Sequence, residues 1–257
     1  MITIDLPSCQ SLYLEMRSGS TALGSATGFV VEHEGVFYLV TNRHNVRGRR
    51  QDNDQAMHES GAVPDQLAIF QNLEGETGAW VSKVEPLYHA AGDPLWHEHP
   101  TLGGAIDVVV LRLTDLKGVA CYPYSLDGPT GHDAGRLPAA LKIGPSDVVN
   151  IIGFPFGWTA GAKLGIWVQG AIASEPALAY EDLPQFLIDS RTRPGQSGSP
   201  VVLYLRSGWV TLDGHGPYMI HNPLTQLLGV YSGRLSPDSD LGTVWKPTAV
   251  AEILSAI

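Results

Sequence analysis

Cysteine is scarce in this chain, with only Cys9 and Cys121 among its 257 residues. This count excludes a small secreted scaffold stabilised by several disulfides, and at most one bridge, Cys9–Cys121, could form. Residues 1–7 contain neither a basic segment nor a long apolar one, so they lack the pattern of a secretory signal peptide. We therefore predict a cytoplasmic protein with reduced thiols, and the single bridge stays open as an alternative.

Basic residues and long apolar runs are also scarce. The chain has 16 Lys and Arg residues against 26 Asp and Glu residues, which gives a formal net charge of −10. A nucleic-acid-binding surface needs clustered basic residues, so we expect no nucleic-acid partner. No stretch approaches the ~20 consecutive apolar residues of a membrane-spanning helix, so we expect no membrane association either.

What the chain does contain is short apolar segments separated by turn residues, including 29 glycines and 18 prolines. This pattern predicts an all-β fold. Segment 121–147 is rich in glycine, proline and aspartate, so we interpret it as a linker between strand groups in residues 1–120 and 148–257. Near the C-terminus, one short helix is predicted by apolar residues at helical spacing, namely Val250, Ile253, Leu254 and Ile257.

A stretch that could carry chemistry is Arg-Pro-Gly-Gln-Ser-Gly-Ser-Pro-Val-Val at positions 193–202. A serine hydroxyl becomes a useful nucleophile only when a base takes its proton and hydrogen-bond donors stabilise the resulting oxyanion. Gly195 and Gly198 permit backbone turns that are closed to other residues, and such turns would direct the amides of Gly195 and Ser197 to one point. Taken alone, the same residues equally fit an ordinary turn between two strands.

A base and an orienting acid are available elsewhere in the chain. His44 ends the apolar segment 37–44, and Asp107 stands near the beginning of the apolar segment 104–113. Histidine, aspartate and serine therefore follow one another in an order that occurs in one type of catalytic triad. Each residue by itself is more often an ordinary loop or strand-end residue, so the prediction rests on the three together.

These segments resemble those of the chymotrypsin-like serine peptidases, in particular their compact bacterial trypsin-like members. The resemblance covers most of the chain and is carried by segments 24–31, 39–44, 107–111, 194–201, 228–233 and 241–245. It implies two six-stranded antiparallel β-barrels with the active site in the crevice between them. His44 and Asp107 would come from the first barrel and Ser197 from the second.

The resemblance also implies a role for each of these residues. Ser197 would attack the scissile carbonyl, His44 would act as general base and then as general acid, and Asp107 would orient the imidazole. The amides of Gly195 and Ser197 would form the oxyanion hole.

Specificity is less well determined by the sequence. By family position, Tyr231, Ser232 and Gly233 would form the edge strand that pairs with the substrate backbone. Arg191 lies six residues before Ser197 and would favour acidic side chains if it faced the pocket, whereas Asp189 would favour basic ones. We hypothesise only that the pocket differs from that of a typical trypsin.

Two other clusters of residue types invite a functional interpretation. His97 and His99 beside Glu98 could begin a metal site, but no third or fourth protein ligand is evident nearby, so we predict no metal and no cofactor. The basic run in segment 47–50 is typical of a solvated face, although it could also contact an acidic partner.

The sequence thus predicts a serine endopeptidase that hydrolyses a protein or peptide substrate through an acyl-enzyme intermediate. Two alternatives stay open. One is a catalytically silent peptide-binding protein on the same fold, and the other is an esterase of the α/β-hydrolase type, for which His215 and His221 follow the serine as required. Because an unrestrained cytoplasmic peptidase would damage its host, we also expect restricted access, oligomerisation or a regulatory protein partner.

Overall fold

Two antiparallel β-sheets contain most of the strands in the computed structural model, which describes residues 4–257. The first sheet has six longer strands and one strand of two residues. Its members are β1 (Ser11–Ser18), β2 (Thr21–His33), β3 (Val36–Thr41), β4 (Gln66–Asn72), β5 (Trp80–Pro86), β6 (Trp96–His97) and β7 (Val109–Arg112). Their spatial order is β5-β4-β1-β2-β3-β7-β6.

The second half of the chain supplies the other sheet and a separate hairpin. Its strands are β8 (Thr130–Gly131), β9 (Val148–Gly153), β10 (Ile166–Ile172), β11 (Gln185–Asp189), β12 (Pro200–Leu205), β13 (Gly208–Leu212), β14 (Gly216–Ile220), β15 (Leu224–Arg234) and β16 (Leu241–Trp245). Strands β13 and β14 form a hairpin, and Leu141 joins it through a bridge to Leu212. The remaining strands follow the order β12-β9-β10-β11-β16-β15-β8.

The longer strands of the second sheet form a closed barrel of six strands, because β12 pairs with both β9 and β15. Every pairing between these named strands is antiparallel. The first sheet has the same number of longer strands. The predicted all-β architecture of two six-stranded units is therefore confirmed.

The segment predicted to be a linker takes part in both sheets. Strand β8 lies within it and pairs with β15. Tyr124 forms a bridge to Val31 of β2, and its ring packs edge-on against Phe29 with 5.4 Å between the ring centroids. The proposed boundaries at residues 121 and 147 stay predictions, but the segment between them is not a free connection.

Three short helices complete the fold: α1 (Leu6–Gln10), α2 (Arg43–Arg47) and α3 (Pro247–Leu254). Helix α3 begins with a proline, which lacks the backbone N–H that has no partner in a first helical turn. The predicted C-terminal helix is thus present, but it ends at Leu254, and Ile257 lies beyond it with 54% of its surface exposed. Within residues 4–257, no helix is both long and apolar enough to span a membrane.

An apolar cluster between the two sheets determines how they pack together. It joins Phe29 and Val40 of the first sheet to Ile152 and Val202 of the second, and α3 contributes Ile253. Each sheet also has its own cluster of buried apolar side chains. The crevice between the sheets is consequently bordered by two separately packed units that share one central core.

The two cysteines do not form the bridge that the sequence left open. Cys9 is buried, Cys121 is partly buried, and both thiols are free. Burial raises the pKa of each thiol, so both stay protonated and poorly reactive at neutral pH.

Replacing Ile253 with alanine should destabilise the protein by about 2–5 kcal/mol, because it leaves a cavity in the core shared by both sheets. Ile257→Ala is the matched control, since it removes the same atoms from an exposed position and should change stability by less than about 0.5 kcal/mol. Urea-induced unfolding followed by tryptophan fluorescence measures both. Equal effects of the two substitutions would contradict the assigned packing of α3.

Candidate active site

His44 lies just beyond the end of the first sheet's central strands. Strand β3 ends at Thr41, and the short helix α2, which contains His44, follows directly. The helix stops at Gly48, whose left-handed φ of 63° allows its amide to donate to the carbonyl oxygen of His44. A Cβ at this position would lie 2.4 Å from Pro64, so only glycine fits without rearrangement.

Asp107 is a buried carboxylate in contact with His44. Its Oδ2 lies 2.7 Å from Nδ1 of His44, and its Oδ1 accepts from the backbone amide of His44 at 3.0 Å. Oδ2 also accepts from the hydroxyl of Ser232 at 2.6 Å. A carboxylate that is 1% exposed is costly unless donors surround it, and these groups supply them. The structure therefore brings the two predicted residues together, with the imidazole oriented by Asp107.

Ser197 lies on the loop between β11 and β12. Gly195 and Gly198 on either side have φ values of 94° and 84°, which side chains rarely tolerate. The Ser197 hydroxyl donates to the carbonyl oxygen of Ser232 at 3.1 Å rather than to the imidazole. Asn45, the residue after the histidine, donates from its side-chain amide to the Ser197 carbonyl oxygen at 3.3 Å. The loop is thus adjacent both to helix α2 and to strand β15.

The backbone amides of the loop divide into two groups. Gln196 donates to the carbonyl oxygen of Arg193, and Gly198 donates to that of Tyr231 at 2.9 Å. The amides of Gly195 and Ser197, by contrast, have no acceptor within the described part of the chain. These are the two amides predicted to receive an oxyanion, and both are available to a substrate oxygen.

Ser232 links Asp107 to Ser197 through two hydrogen bonds, a role that the sequence did not reveal. Its hydroxyl donates to Asp107, and its carbonyl oxygen accepts from Ser197. We predicted Ser232 only as part of a substrate-binding edge. A serine within an apolar strand carries no pattern of its own, and its partner Asp107 is 125 residues away in the chain.

Thr27 of β2 joins the loop that carries Ser197 to the first sheet. Its amide donates to the Ser197 carbonyl oxygen at 3.0 Å, and its hydroxyl donates to the Gly195 carbonyl oxygen at 2.8 Å. The same hydroxyl accepts from the amide of Phe154 at 3.2 Å, and the Thr27 carbonyl oxygen accepts from the Thr41 hydroxyl at 2.8 Å. Thr27 is fully buried, so these bonds form without competition from water.

The charged residues proposed for the specificity pocket lie at the surface. The Arg191 side chain is 84% exposed, with Nε 3.8 Å from Oδ2 of Asp240. Asp189 is exposed at the end of β11. Counting back from Ser197 identified a loop position, but it did not reveal which way the side chain points.

Tyr231 is a core residue rather than an exposed edge residue. It is 2% exposed, and its hydroxyl forms a hydrogen bond with the hydroxyl of the fully buried Thr192. Burial raises the pKa of Tyr231 to about 12, so its phenol is neutral at physiological pH. Its backbone amide donates to the Ser199 carbonyl oxygen and its carbonyl oxygen accepts from the Gly198 amide, so the predicted substrate-binding edge can begin only at Ser232.

The histidine-rich loop before Asp107 does not converge on one point. Glu98 accepts from Nε of Arg43 at 2.9 Å, whereas Nε2 of His99 lies 2.9 Å from Oε2 of Glu252 in α3. His97 borders a surface cavity that is also lined by His89 and Leu111. These side chains therefore stabilise the loop through separate contacts.

Comparison with known proteins identifies one family and several solved structures that have a similar fold. A family model described as a trypsin-like peptidase domain matches residues 26–208, more than half of the chain. No curated protein matches. Among solved structures, the serine endoprotease from Yersinia pestis is similar with a TM-score of 0.54 and 15% identity, covering 100% of this chain and 67% of that one. The active form of the Rv3671c protease from M. tuberculosis has a TM-score of 0.49 and 16% identity, covering 97% and 81%.

Replacing Thr27 with valine should destabilise the protein by about 1–3 kcal/mol, because the Phe154 amide and the Gly195 carbonyl lose a buried partner. It should also slow modification of Ser197 by a fluorophosphonate by about tenfold or more, because the loop loses its position. Thr130→Val in β8 is the matched control, since its hydroxyl bond to Thr225 lies outside the site. Equal reactivity of all three proteins would refute the positioning role of Thr27.

Proposed function

The chain belongs to the trypsin-like peptidase family, and we propose that it is a serine endopeptidase whose catalytic residues are Ser197, His44 and Asp107. The observation that carries the proposal is one connected set of contacts. The Asp107 carboxylate binds Nδ1 of His44 on one side and the Ser232 hydroxyl on the other, and the Ser232 carbonyl oxygen binds the Ser197 hydroxyl.

The reaction follows from the roles of these groups. The Ser197 Oγ attacks the scissile carbonyl carbon while Nε2 of His44 accepts the hydroxyl proton. The negative charge that develops on the carbonyl oxygen is stabilised by the free amides of Gly195 and Ser197, and a single donor of this kind is typically worth about 10²–10³ in turnover. His44 then protonates the leaving amine, and water hydrolyses the acyl-enzyme by the reverse sequence of proton transfers.

The hydroxyl of Ser197 must turn before it can react. In the structure it donates to the Ser232 carbonyl oxygen. A typical intramolecular hydrogen bond contributes only about 1 kcal/mol of net free energy, so giving up this one to turn toward the imidazole costs little. A substrate that pairs with the backbone of strand β15 would displace the hydroxyl from Ser232 at the moment of binding.

Strand β15 offers such a substrate a free edge. Its pairing with β12 ends at Val230, after which Gly233 and Arg234 pair with β16 alone. An extended peptide could therefore add along residues 232–234 by β-augmentation, with its carbonyl next to Ser197. This supports the substrate-binding role predicted for the backbone of Ser232 and Gly233.

The antiparallel sheets contradict the esterase alternative and leave the silent peptide-binding protein open. An α/β-hydrolase esterase requires a mainly parallel sheet flanked by helices, and the two antiparallel sheets contradict that alternative. A catalytically silent peptide-binding protein on this fold stays open, because it would share every contact described above. A cytoplasmic location and control by a partner protein rest on the sequence alone and stay predictions.

A fluorophosphonate probe distinguishes the peptidase from the silent binder. The native protein should be labelled on Ser197, Ser197→Ala should not be labelled, and His44→Ala should be labelled at least about 10²-fold more slowly, because the hydroxyl loses its base. Ser207→Ala, in an exposed turn, is the control and should behave like the native protein. Cleaved peptide termini identified by mass spectrometry would test endopeptidase activity. A folded native protein that neither reacts nor cleaves would favour the binder.

A further inference from the structure

A cavity of about 410 Å³ opens directly beside Ser197. Its walls come from both halves of the molecule. Besides Ser197, its lining includes three polar residues, Ser25, Asn45 and His58. The other lining residues are glycine, proline and apolar residues, among them Phe156 and Met57. No Asp, Glu, Lys or Arg is among its lining residues in the described part of the chain, so the cavity suits an apolar group.

The cavity lies on the leaving-group side of Ser197. The acyl half of a substrate would run along residues 232–234, and none of these lines the cavity. The cavity is bordered instead by Asn45, the residue directly after His44 in α2, and by Gly48, where this helix ends. Because His44 protonates the departing amine, the peptide that departs must pass this helix. The segment after the scissile bond is therefore the one that reaches the cavity.

Phe156, which lines the cavity, has an unusual backbone conformation. Its φ of 54° is left-handed, which is strained for a residue with a side chain, and its ring is 53% exposed. The conformation is maintained by a hydrogen bond from its amide to the Pro194 carbonyl oxygen at 2.6 Å. Its ring also contacts Trp158, with 5.4 Å between centroids. A strained backbone that exposes a large aromatic ring beside a nucleophile is typical of a binding feature.

We propose that this cavity is the subsite for the leaving-group side of the substrate, and that it selects a bulky apolar side chain immediately after the scissile bond. Phe156 and Met57, which both line it, are its specificity-determining residues. The inference rests on the proposed function, because it requires Ser197 to form an acyl-enzyme.

Acyl transfer isolates this subsite from the rest of the cleft. p-Nitrophenyl acetate would acylate Ser197 with loss of p-nitrophenol, and an added amino-acid amide would then compete with water for the acetyl group. The amine nitrogen forms a bond to the acetyl carbon as the bond from that carbon to Oγ breaks. His44 takes the proton from the amine and returns it to Oγ. The acetyl group is the same in every reaction, so the product ratio reports only on the amine.

The experiment compares leucinamide and phenylalaninamide with glycinamide, and mass spectrometry quantifies the N-acetylated products against acetate. The native enzyme should transfer acetyl to the bulky apolar amides at least about tenfold more efficiently than to glycinamide. Phe156→Ala and, separately, Met57→Ala should lower this preference severalfold. Expressing the result as a ratio within each variant cancels any change in overall rate.

Trp209→Ala is the control, because this tryptophan is 70% exposed in the β13–β14 hairpin and does not line the cavity. It should keep the native preference, and Phe156→Leu should keep most of it. Equal transfer to all amides by the native enzyme, or an unchanged preference in both alanine variants, would overturn the inference while leaving the proposed function intact. Release of p-nitrophenol that is unaffected by Ser197→Ala would overturn both.

Discussion

The arrangement of the site depends on hydrogen bonds that converge on one buried threonine. Thr27 uses its amide, its carbonyl and both capacities of its hydroxyl, and three of these contacts reach the second half of the chain. The loop that carries Ser197 is thereby attached to the first sheet through the Thr27 amide, which cannot change rotamer, and through the Thr27 hydroxyl. Gly198 belongs to the same constraint, because a Cβ there would lie 2.1 Å from the Thr27 carbonyl oxygen. Close approach of two backbones, more than side-chain packing, fixes where Ser197 lies.

The place where strand β15 parts from β12 has two effects on the site. Up to Val230 the two strands pair, and beyond it the carbonyl of Ser232 is free to accept from Ser197 while its hydroxyl reaches Asp107. The same separation exposes an edge to which a peptide can add. The separation of these two strands therefore creates the link between Asp107 and Ser197 and also the edge on which we propose that a substrate pairs.

The site residues that could be predicted from the sequence stand where an apolar run begins or ends, or where glycines mark a turn. His44 and Asp107 stand at the ends of apolar runs, and Ser197 lies between glycines, so each is visible without coordinates. Thr27 and Ser232 lie inside ordinary strands, and their roles come from partners far away in the chain, Ser197 for Thr27 and Asp107 for Ser232, which no local pattern encodes. For Arg191 the position in the chain suggested a specificity residue, but the direction of its side chain depends on a turn that the sequence did not determine, and its role in substrate binding stays a prediction.

At the turn that contains Phe156, one hydrogen bond links the proposed specificity residue to the predicted oxyanion hole. Its amide binds the Pro194 carbonyl oxygen, which belongs to the same planar peptide unit as the Gly195 amide. The C=O and N–H of a trans peptide point in opposite directions, so this bond also fixes the direction of a predicted oxyanion donor. A side chain that packs against Phe156 would stabilise the peptide plane on which the developing charge depends. Binding on the leaving-group side would then strengthen stabilisation of the transition state rather than of the bound substrate alone, which is the condition for raising turnover.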